Sequence, residues 1–217
     1  TGPFVTMLAL VKNSPLAWRQ QQRHEWSRYP ATCLHGKTAG IIGLGHIGRE
    51  TARLCKTFGM RTIATRRTAI KRGKARYVDL LLPLNELPQL LGESDFIIIS
   101  VPLTPATRHL IGEKELKMMK PSAYLINIAR GAIVDGEALV HALKNKTIAG
   151  AGLDVTEPEP LPPESPLWDM PGVIITPHIA GGMDDYMLSA TRLFCENLKR
   201  YYQGRRLLNV VNRQRGY

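Results

Sequence analysis

Three side chains of complementary chemistry, Arg130, Glu159 and His178, each follow a short apolar segment of the sequence. An arginine guanidinium holds a carboxylate through paired hydrogen bonds and polarises a neighbouring carbonyl group. A histidine imidazolium donates a proton to a carbonyl oxygen, and a carboxylate next to the histidine stabilises that charged form. If the three side chains meet, they suit the reduction of a 2-oxo acid by a hydride that a bound cofactor supplies.

Each of these residues also has an ordinary structural explanation. Arg130 is of a type that forms surface salt bridges, Glu159 shares a proline-rich loop with Glu157, and His178 lies where a turn is expected. Residues of these types are mostly found at protein surfaces without a catalytic role. Spacing alone therefore leaves a catalytic set and three unrelated surface residues as alternatives.

A glycine motif lies between an apolar segment, residues 38–42, and a segment with a helical pattern, residues 49–58. Gly43 suits a tight turn, Gly45 lets the backbone approach a pyrophosphate, and Gly48 lets the helix pack closely on the strand. The helix N-terminus then faces the anion. The motif predicts a dinucleotide-binding turn.

The surroundings of the motif favour this prediction over an ordinary glycine loop. His46 and Ile47 complete the turn, and residues 61–65 form a second β-branched segment after a helix end at Gly59. The resulting strand–helix–strand unit has about the ~30-residue length that the fingerprint requires. We therefore expect residues 43–48 to hold the phosphates of a dinucleotide.

The end of the second predicted strand indicates which dinucleotide binds. Enzymes specific for NAD place an acidic residue there to accept hydrogen bonds from the ribose hydroxyls, whereas this sequence has Thr65, Arg66 and Arg67. Arginine pairs with a 2′-phosphate and stacks on adenine. We predict NADP(H) as the preferred cofactor, with NAD possible, Arg66 as the main contact and Arg67 as the lesser one. The alternative is that both arginines merely belong to the basic run at 61–76.

Composition restricts the class of protein. The chain has 217 residues, 44% hydrophobic residues, three cysteines and a net charge of +11. No apolar run is long enough to span a bilayer, and the cysteines form neither a disulfide framework nor a metal site, so we expect a cytoplasmic protein without metal. The basic clusters at 61–76 and 192–217, the first of which contains no aromatic residue, favour a solvated face, or one covered by an acidic partner domain, over nucleic-acid binding.

Short apolar segments alternate with helical patterns along the chain, which predicts an α/β fold with a doubly wound, Rossmann-type parallel sheet of about seven strands. The predicted strands are residues 38–42, 61–65, 77–78, 95–100, 124–127, 149–153 and 173–176. The predicted helices include residues 85–91, 113–119, 136–144 and 184–202. We interpret residues 1–217 as one dinucleotide-binding domain, with a helical arm at 1–30, a core at 31–182 and a closing helix and tail at 183–217.

Several motifs in this order resemble the D-isomer-specific 2-hydroxyacid dehydrogenases, and most of all their glyoxylate and hydroxypyruvate reductases. The motifs are residues 43–48, 101–107, 127–131, 134–135, 152–155, 159–160 and 176–179. The resemblance implies that Arg130 binds the substrate carboxylate, that His178 is the acid/base and that Glu159 is its partner. Glu157 is the rival for this last role; Glu159 is preferred because the family places the acid directly before a proline and five residues past the aspartate of the Leu-Asp-Val segment, here Asp154.

The resemblance also implies further cofactor contacts. Val101, Pro102 and Thr107 belong to the motif that lines the cofactor pocket, and Ala129 and Asp154 match positions that hold the nicotinamide carboxamide.

The family further implies a homodimer built on the cofactor domain, with the arm at residues 8–26 as the contact. Its members carry a substrate domain of on the order of a hundred residues, mostly ahead of the cofactor domain. We expect this domain to be missing here and the chain alone to be nearly inactive. The substrate would be a small 2-oxo acid such as glyoxylate or hydroxypyruvate. The alternative within the family is a non-catalytic, NAD(H)-sensing regulator similar to its corepressor members.

Overall fold

The computed structural model describes residues 2–213 of the chain. The α-helices are Gly2–Val11 (α1), Ser14–Gln22 (α2), His46–Thr57 (α3), Leu87–Glu93 (α4), Glu113–Met118 (α5), Gly136–Lys144 (α6) and Tyr186–Tyr202 (α7). The strands are Thr38–Ile42 (β1), Arg61–Thr65 (β2), Gly73–Ala75 (β3), Val78–Leu82 (β4), Phe96–Ile99 (β5), Tyr124–Asn127 (β6), Gly150–Leu153 (β7) and Val173–Ile175 (β8). Short 3-10 helices occupy Leu84–Glu86, Gly131–Ile133 and Pro166–Trp168.

The strands form one sheet in the order β3-β4-β2-β1-β5-β6-β7-β8. All neighbouring strands are parallel except β3, which pairs antiparallel with β4. This confirms the doubly wound, Rossmann-type α/β fold. The chain leaves β1 toward β2 on one side and later returns to place β5 on the other side. Ligands of such sheets bind beyond the carboxyl ends of the strands at this reversal.

The described residues contain eight strands, where the sequence predicted about seven. The strand expected at residues 77–78 extends over Val78–Leu82, and the edge strand Gly73–Ala75 was not expected. β3 lies within the basic run and has no alternation of apolar and polar residues. β3 is a strand because it pairs with β4. The sequence of residues 73–75 alone does not indicate that pairing.

Both faces of the sheet are buried, which explains the continuous apolar runs. In β5, Ile97 and Ile99 belong to one hydrophobic cluster, and Phe96 and Ile98 belong to the other. Successive side chains of a strand point to opposite faces, so a strand covered on both sides needs an apolar residue at every position.

The first helix is part of one of these clusters. Phe4, Met7, Leu10 and Val11 of α1 are buried, and the Phe4 ring stacks on that of Phe58 with centroids 5.3 Å apart. The second helix, α2, buries no residue in the described part of the chain. The predicted arm thus consists of a buried helix and an exposed one.

The chain divides into two compact units between Ala180 and Gly181. The second unit contains α7, which matches the predicted closing helix, followed by a segment that folds back on it. The Asn197 side chain accepts a hydrogen bond from the Leu208 amide at 2.8 Å and donates one to its carbonyl oxygen at 3.1 Å. Thr1, at the start of the predicted arm, and residues 214–217 of the predicted tail lie outside the described residues.

The cysteines carry free thiols. Cys55 is fully buried on α3, and burial raises the pKa of its thiol to about 12, so the thiol stays protonated near neutral pH. Within residues 2–213, no helix is long and apolar enough to cross a membrane, and no three His, Cys, Asp or Glu side chains are grouped to hold a metal ion. The cytoplasmic location stays a prediction.

Candidate active site

The glycine turn brings the end of β1 into direct contact with the start of α3. Gly43 has φ +96, a conformation that side chains other than glycine rarely adopt, and a Cβ there would meet Val101 and the Ser100 backbone. A Cβ at Gly48 would overlap the Gly43 carbonyl oxygen. The strand, turn and helix can approach this closely only because both residues are glycine.

The other face of the turn is open and suits an anion. A Cβ at Gly45 would have no atom within 4 Å, and His46 and Ile47 are exposed. Among residues 2–213, no side chain caps the N-terminus of α3, so its first backbone N–H groups are available to a ligand. These residues therefore fit a bound pyrophosphate.

The segment after β5 closes the opposite side of the turn. The Ser100 hydroxyl donates hydrogen bonds to the carbonyl oxygens of Gly43 at 2.7 Å and Ile42 at 3.2 Å. Ser100 is a site residue that the sequence analysis missed. Its only local signal is a polar residue directly after a buried apolar strand.

Val101 and Pro102 follow Ser100 and lead into a loop that Thr107 shapes. The Thr107 hydroxyl donates to the Pro102 carbonyl oxygen and accepts from the Thr104 amide, both at 2.7 Å. These bonds fix the conformation of the predicted cofactor loop. The Thr107 side chain thus stabilises this loop from within.

The end of β2 contains polar atoms that lack partners. Thr65 is fully buried, and neither its hydroxyl nor the buried Nε of Arg66 has a hydrogen-bond partner among the described residues. Arg66 also lines a cavity of about 470 Å³ next to α3, and Arg67 follows it on the surface. Buried polar groups are normally paired, so this strand end fits a bound polar group.

A buried asparagine at the end of β6 organises the loop that carries Arg130. The Asn127 amide donates to the Arg130 carbonyl oxygen at 2.9 Å and its oxygen accepts from the Ala129 amide at 3.1 Å. The exposed Arg130 guanidinium donates to the Ala129 carbonyl oxygen at 2.6 Å. Gly131 follows so close to Thr156 that a Cβ would overlap the Thr156 carbonyl oxygen.

The carboxylate of Asp154, directly after β7, organises the loop that carries His178. Asp154 is 5% exposed. One of its oxygens accepts from the Thr176 hydroxyl at 2.6 Å and the Ile179 amide at 2.9 Å, and the other accepts from the Ala180 amide at 2.9 Å. These bonds make Asp154 a support of the His178 loop, and its place beside the nicotinamide stays a prediction of the resemblance.

The structure brings Glu159 and His178 together. Their Oε1 and Nδ1 atoms are 2.6 Å apart, and both side chains are about half exposed. His178 has φ +55, and its amide donates to the Asp154 carbonyl oxygen at 2.9 Å. Backbone bonds therefore hold the ring next to Glu159.

The rival glutamate points elsewhere. Glu157 accepts hydrogen bonds from His109 at 3.1 Å and Arg108 at 2.8 Å, and these partners lower its pKa. It thereby ties its own loop to the loop that follows β5. Two glutamates of one proline-rich loop thus have different partners.

A cavity of about 380 Å³ lies against the Glu159–His178 pair, with Trp168 and Ile175 in its wall. Trp168 is fixed by a hydrogen bond from its indole N–H to the Pro162 carbonyl oxygen at 2.9 Å. No hydrogen bond joins Arg130 to Glu159 or His178 within the described residues. Arg130 nevertheless lies at the same edge of the sheet, because β6, β7 and β8 are successive parallel strands.

Comparisons with known proteins agree with this geometry. A family model described as D-isomer specific 2-hydroxyacid dehydrogenase, NAD binding domain, matches residues 4–180. The glyoxylate reductase of Thermococcus gammatolerans is 45% identical over 181 residues, which are 83% of this chain and 53% of that protein. The chain therefore spans about half the length of this relative.

Two solved structures resemble the chain over nearly its whole length. The D-isomer specific 2-hydroxyacid dehydrogenase of Xanthobacter autotrophicus Py2, in complex with NADPH and MES, has a TM-score of 0.86 and 33% identity, and the match covers 99% of this chain and 86% of that one. The NADPH-dependent glyoxylate/hydroxypyruvate reductase of Sinorhizobium meliloti, in complex with NADP and sulfate, has a TM-score of 0.87 and 28% identity, with coverages of 99% and 67%.

We predict that Asp154→Asn lowers the free energy of unfolding by about 1–3 kcal/mol. Asp154 accepts hydrogen bonds from three donors. The amide that replaces the carboxylate turns an N–H group toward at least one of these donors, so that hydrogen bond is lost. Urea denaturation followed by circular dichroism measures the change. Asp169→Asn, at an exposed helix end, is the matched control and should have little effect. Equal stability of the two variants would contradict the supporting role of Asp154.

Proposed function

Because the chain belongs to the D-isomer specific 2-hydroxyacid dehydrogenase family, we propose that it is the cofactor-binding part of an enzyme that reduces small 2-oxo acids with NAD(P)H. The observation that carries the proposal is the 2.6 Å contact between His178 and Glu159 beyond the ends of neighbouring strands. Glyoxylate or hydroxypyruvate is the proposed substrate, since relatives such as that of Thermococcus gammatolerans are glyoxylate reductases. The activity is proposed for the whole protein, of which this chain is one part.

His178 is the proposed acid/base. Glu159 accepts a hydrogen bond from Nδ1, which fixes a proton on that nitrogen and leaves Nε2 to face the substrate. In the imidazolium form, Nε2 donates a proton to the carbonyl oxygen of the 2-oxo acid, and Glu159 stabilises the charged ring. The cofactor supplies the hydride when it is bound. In the reverse direction, Nε2 accepts the hydroxyl proton.

Arg130 is the proposed binder of the substrate carboxylate. Its guanidinium is exposed and contacts no carboxylate in the part of the chain that the structure describes. The bonds between Asn127 and the Arg130 loop fix the backbone from which the side chain extends. A fork of two N–H donors fits a carboxylate and orients the neighbouring carbonyl group toward His178.

We predict that His178→Gln and Glu159→Gln in the full-length protein lower kcat for glyoxylate by about 10²–10⁴-fold and leave NADPH affinity nearly unchanged. The variants remove the proton donor and its partner but not the phosphate-binding turn. Steady-state kinetics with glyoxylate, hydroxypyruvate and 3-phosphohydroxypyruvate measures the effect and ranks the substrates.

Glu164→Gln, in the same proline-rich loop, is the matched control for these kinetics. A loss confined to Glu157→Gln would transfer the role of Glu159 to Glu157. A wild-type protein that binds cofactor and turns over none of the three acids would contradict the enzymatic proposal and favour the non-catalytic regulator.

NADP(H) is the proposed cofactor. Thr65 and Arg66 stand where an NAD-specific enzyme would have an acceptor for the ribose hydroxyls, and the buried Nε of Arg66 has no partner in residues 2–213. The structures from Xanthobacter autotrophicus and Sinorhizobium meliloti hold NADPH and NADP, which supports the same preference here.

We predict that Arg66→Ala raises the Kd of NADPH by about 10- to 100-fold, because a charge-assisted contact to the 2′-phosphate is lost. The Kd of NADH should change little, since NADH lacks that phosphate. Titration of the 217-residue chain followed by nucleotide fluorescence measures both constants. Tighter binding of NADH than NADPH by the wild-type chain would contradict the preference.

A homodimer is the proposed assembly, with the arm at residues 8–26 as its contact. The arm exposes Trp18 by 64% and Trp26 by 96%, and aromatic residues are enriched at protein interfaces. We predict that light scattering of the full-length protein gives a dimer and that Trp26→Ala increases the monomer fraction. A monomeric wild-type protein at micromolar concentration would contradict this assembly.

A further inference from the structure

A basic groove runs along the outer face of α3 from the glycine turn to the turn between β3 and β4. We call it the arginine groove. Its cavity measures about 470 Å³. It is lined by His46, Arg49, Arg53, Arg66, Arg76 and Tyr77, together with one acid, Glu50.

The acid of the groove is already paired. Glu50 accepts hydrogen bonds from Nε and Nη2 of Arg53 at 2.9 and 2.7 Å. No carboxylate contacts Arg49, Arg66 or Arg76 in the described part of the chain. Three guanidinium groups therefore face one cavity without a counter-charge.

Other arginines near the groove differ in this respect. Arg61 pairs with Glu93 at 2.7 Å and Arg72 pairs with Glu86 at 2.6 Å, and neither lines the groove. Like charges that share a cavity repel each other, and a bound anion relieves that repulsion. The pattern of pairing thus points to an anion site in the groove.

The turn between β3 and β4 holds one of these arginines in place. Arg76 and Tyr77 link Ala75 to Val78, which pair across the hairpin. Tyr77 has φ +64, which is rare for a bulky residue, and its carbonyl oxygen accepts from the Thr62 hydroxyl at 2.8 Å. The Arg76 guanidinium lies 4.9 Å from the centre of the Tyr77 ring. A cation held on an aromatic ring keeps its N–H edges available to a ligand.

We propose that the arginine groove binds a phosphate monoester dianion, the 2′-phosphate of NADP(H), and that Arg49 and Arg76 determine cofactor specificity together with Arg66. This inference rests on the proposed function. The groove begins at His46 in the phosphate-binding turn and includes Arg66 at the end of β2, so a dinucleotide bound at the turn places its adenosine end beside it. Guanidinium groups bind phosphate dianions through several charge-assisted hydrogen bonds.

The test compares nucleotides that differ in the presence or position of a phosphate, with inorganic phosphate as a further ligand. Calorimetric titration of the 217-residue chain measures Kd for NADPH, NADH, 2′-AMP, 5′-AMP and inorganic phosphate. We expect Arg49→Ala and Arg76→Ala each to weaken NADPH and 2′-AMP by about 3- to 10-fold and to leave NADH unchanged. Arg72→Ala is the matched control, because it removes the same charge outside the groove.

Arg76→Lys is the control for an effect of Arg76→Ala on the conformation of the turn between β3 and β4. It keeps the charge but loses the planar fork, so NADPH affinity should fall between those of wild type and Arg76→Ala. Equal losses of NADPH and NADH in both alanine variants, or no loss beyond that of Arg72→Ala, would overturn the inference.

The remaining outcomes separate the inference from the proposed function. A wild-type preference for NADPH over NADH that is undiminished in Arg49→Ala and Arg76→Ala overturns the inference alone. A wild-type preference for NADH overturns both. Inorganic phosphate that binds as tightly as 2′-AMP without displacing NADPH would make the groove a site for free phosphate and overturn the assignment to the cofactor.

Discussion

The burial of a parallel sheet on both faces is the constraint on which the rest of this structure depends. Alternate side chains of β5 enter separate hydrophobic clusters, so the strand interiors have no place for a functional polar group. The polar residues of the candidate site therefore lie at the strand ends: Asn127 is the last residue of β6, and Ser100, Asp154 and Arg66 directly follow β5, β7 and β2. Because the strands are parallel, these residues share one edge of the sheet, and residues far apart in sequence meet there.

Burial of the sheet on both faces also determines which features of the structure can be predicted from the sequence. Buried apolar segments and the glycine motif are local signals, and the central strands followed from them. The polar residues after the strands gave only candidates, and the pairing of Glu159 with His178 was expected from the family resemblance. The edge strand Gly73–Ala75 did not follow from local signals, because it depends on its partner β4. Ser100 bonds to Gly43, 57 residues earlier, and such a long-range contact leaves only an unspecific polar residue in the sequence. The role of Asp154 was hidden for the same reason.

The Glu159–His178 pair depends on a loop that would not hold this conformation by itself. His178 has a positive φ, which is unfavourable for a residue with a Cβ. The buried Asp154 carboxylate compensates by accepting three hydrogen bonds from the residues around it, and the bonds of a charged acceptor are the stronger kind. The exposed pair therefore owes its geometry to a buried neighbour, which explains how two half-exposed side chains are held 2.6 Å apart.

The ion pairs of individual arginines are more informative about the positive charge of this chain than the number of basic residues. A net charge of +11 and the run of basic residues at 61–76 do not by themselves distinguish a solvated face from a phosphate site. The structure divides the run, since Arg61 and Arg72 are neutralised by Glu93 and Glu86, whereas Arg66 and Arg76 converge with Arg49 on one cavity. A solvated face needs no such convergence, and a nucleic-acid surface would extend beyond one groove. A concentrated, unpaired charge beside the glycine turn suits a single small dianion best.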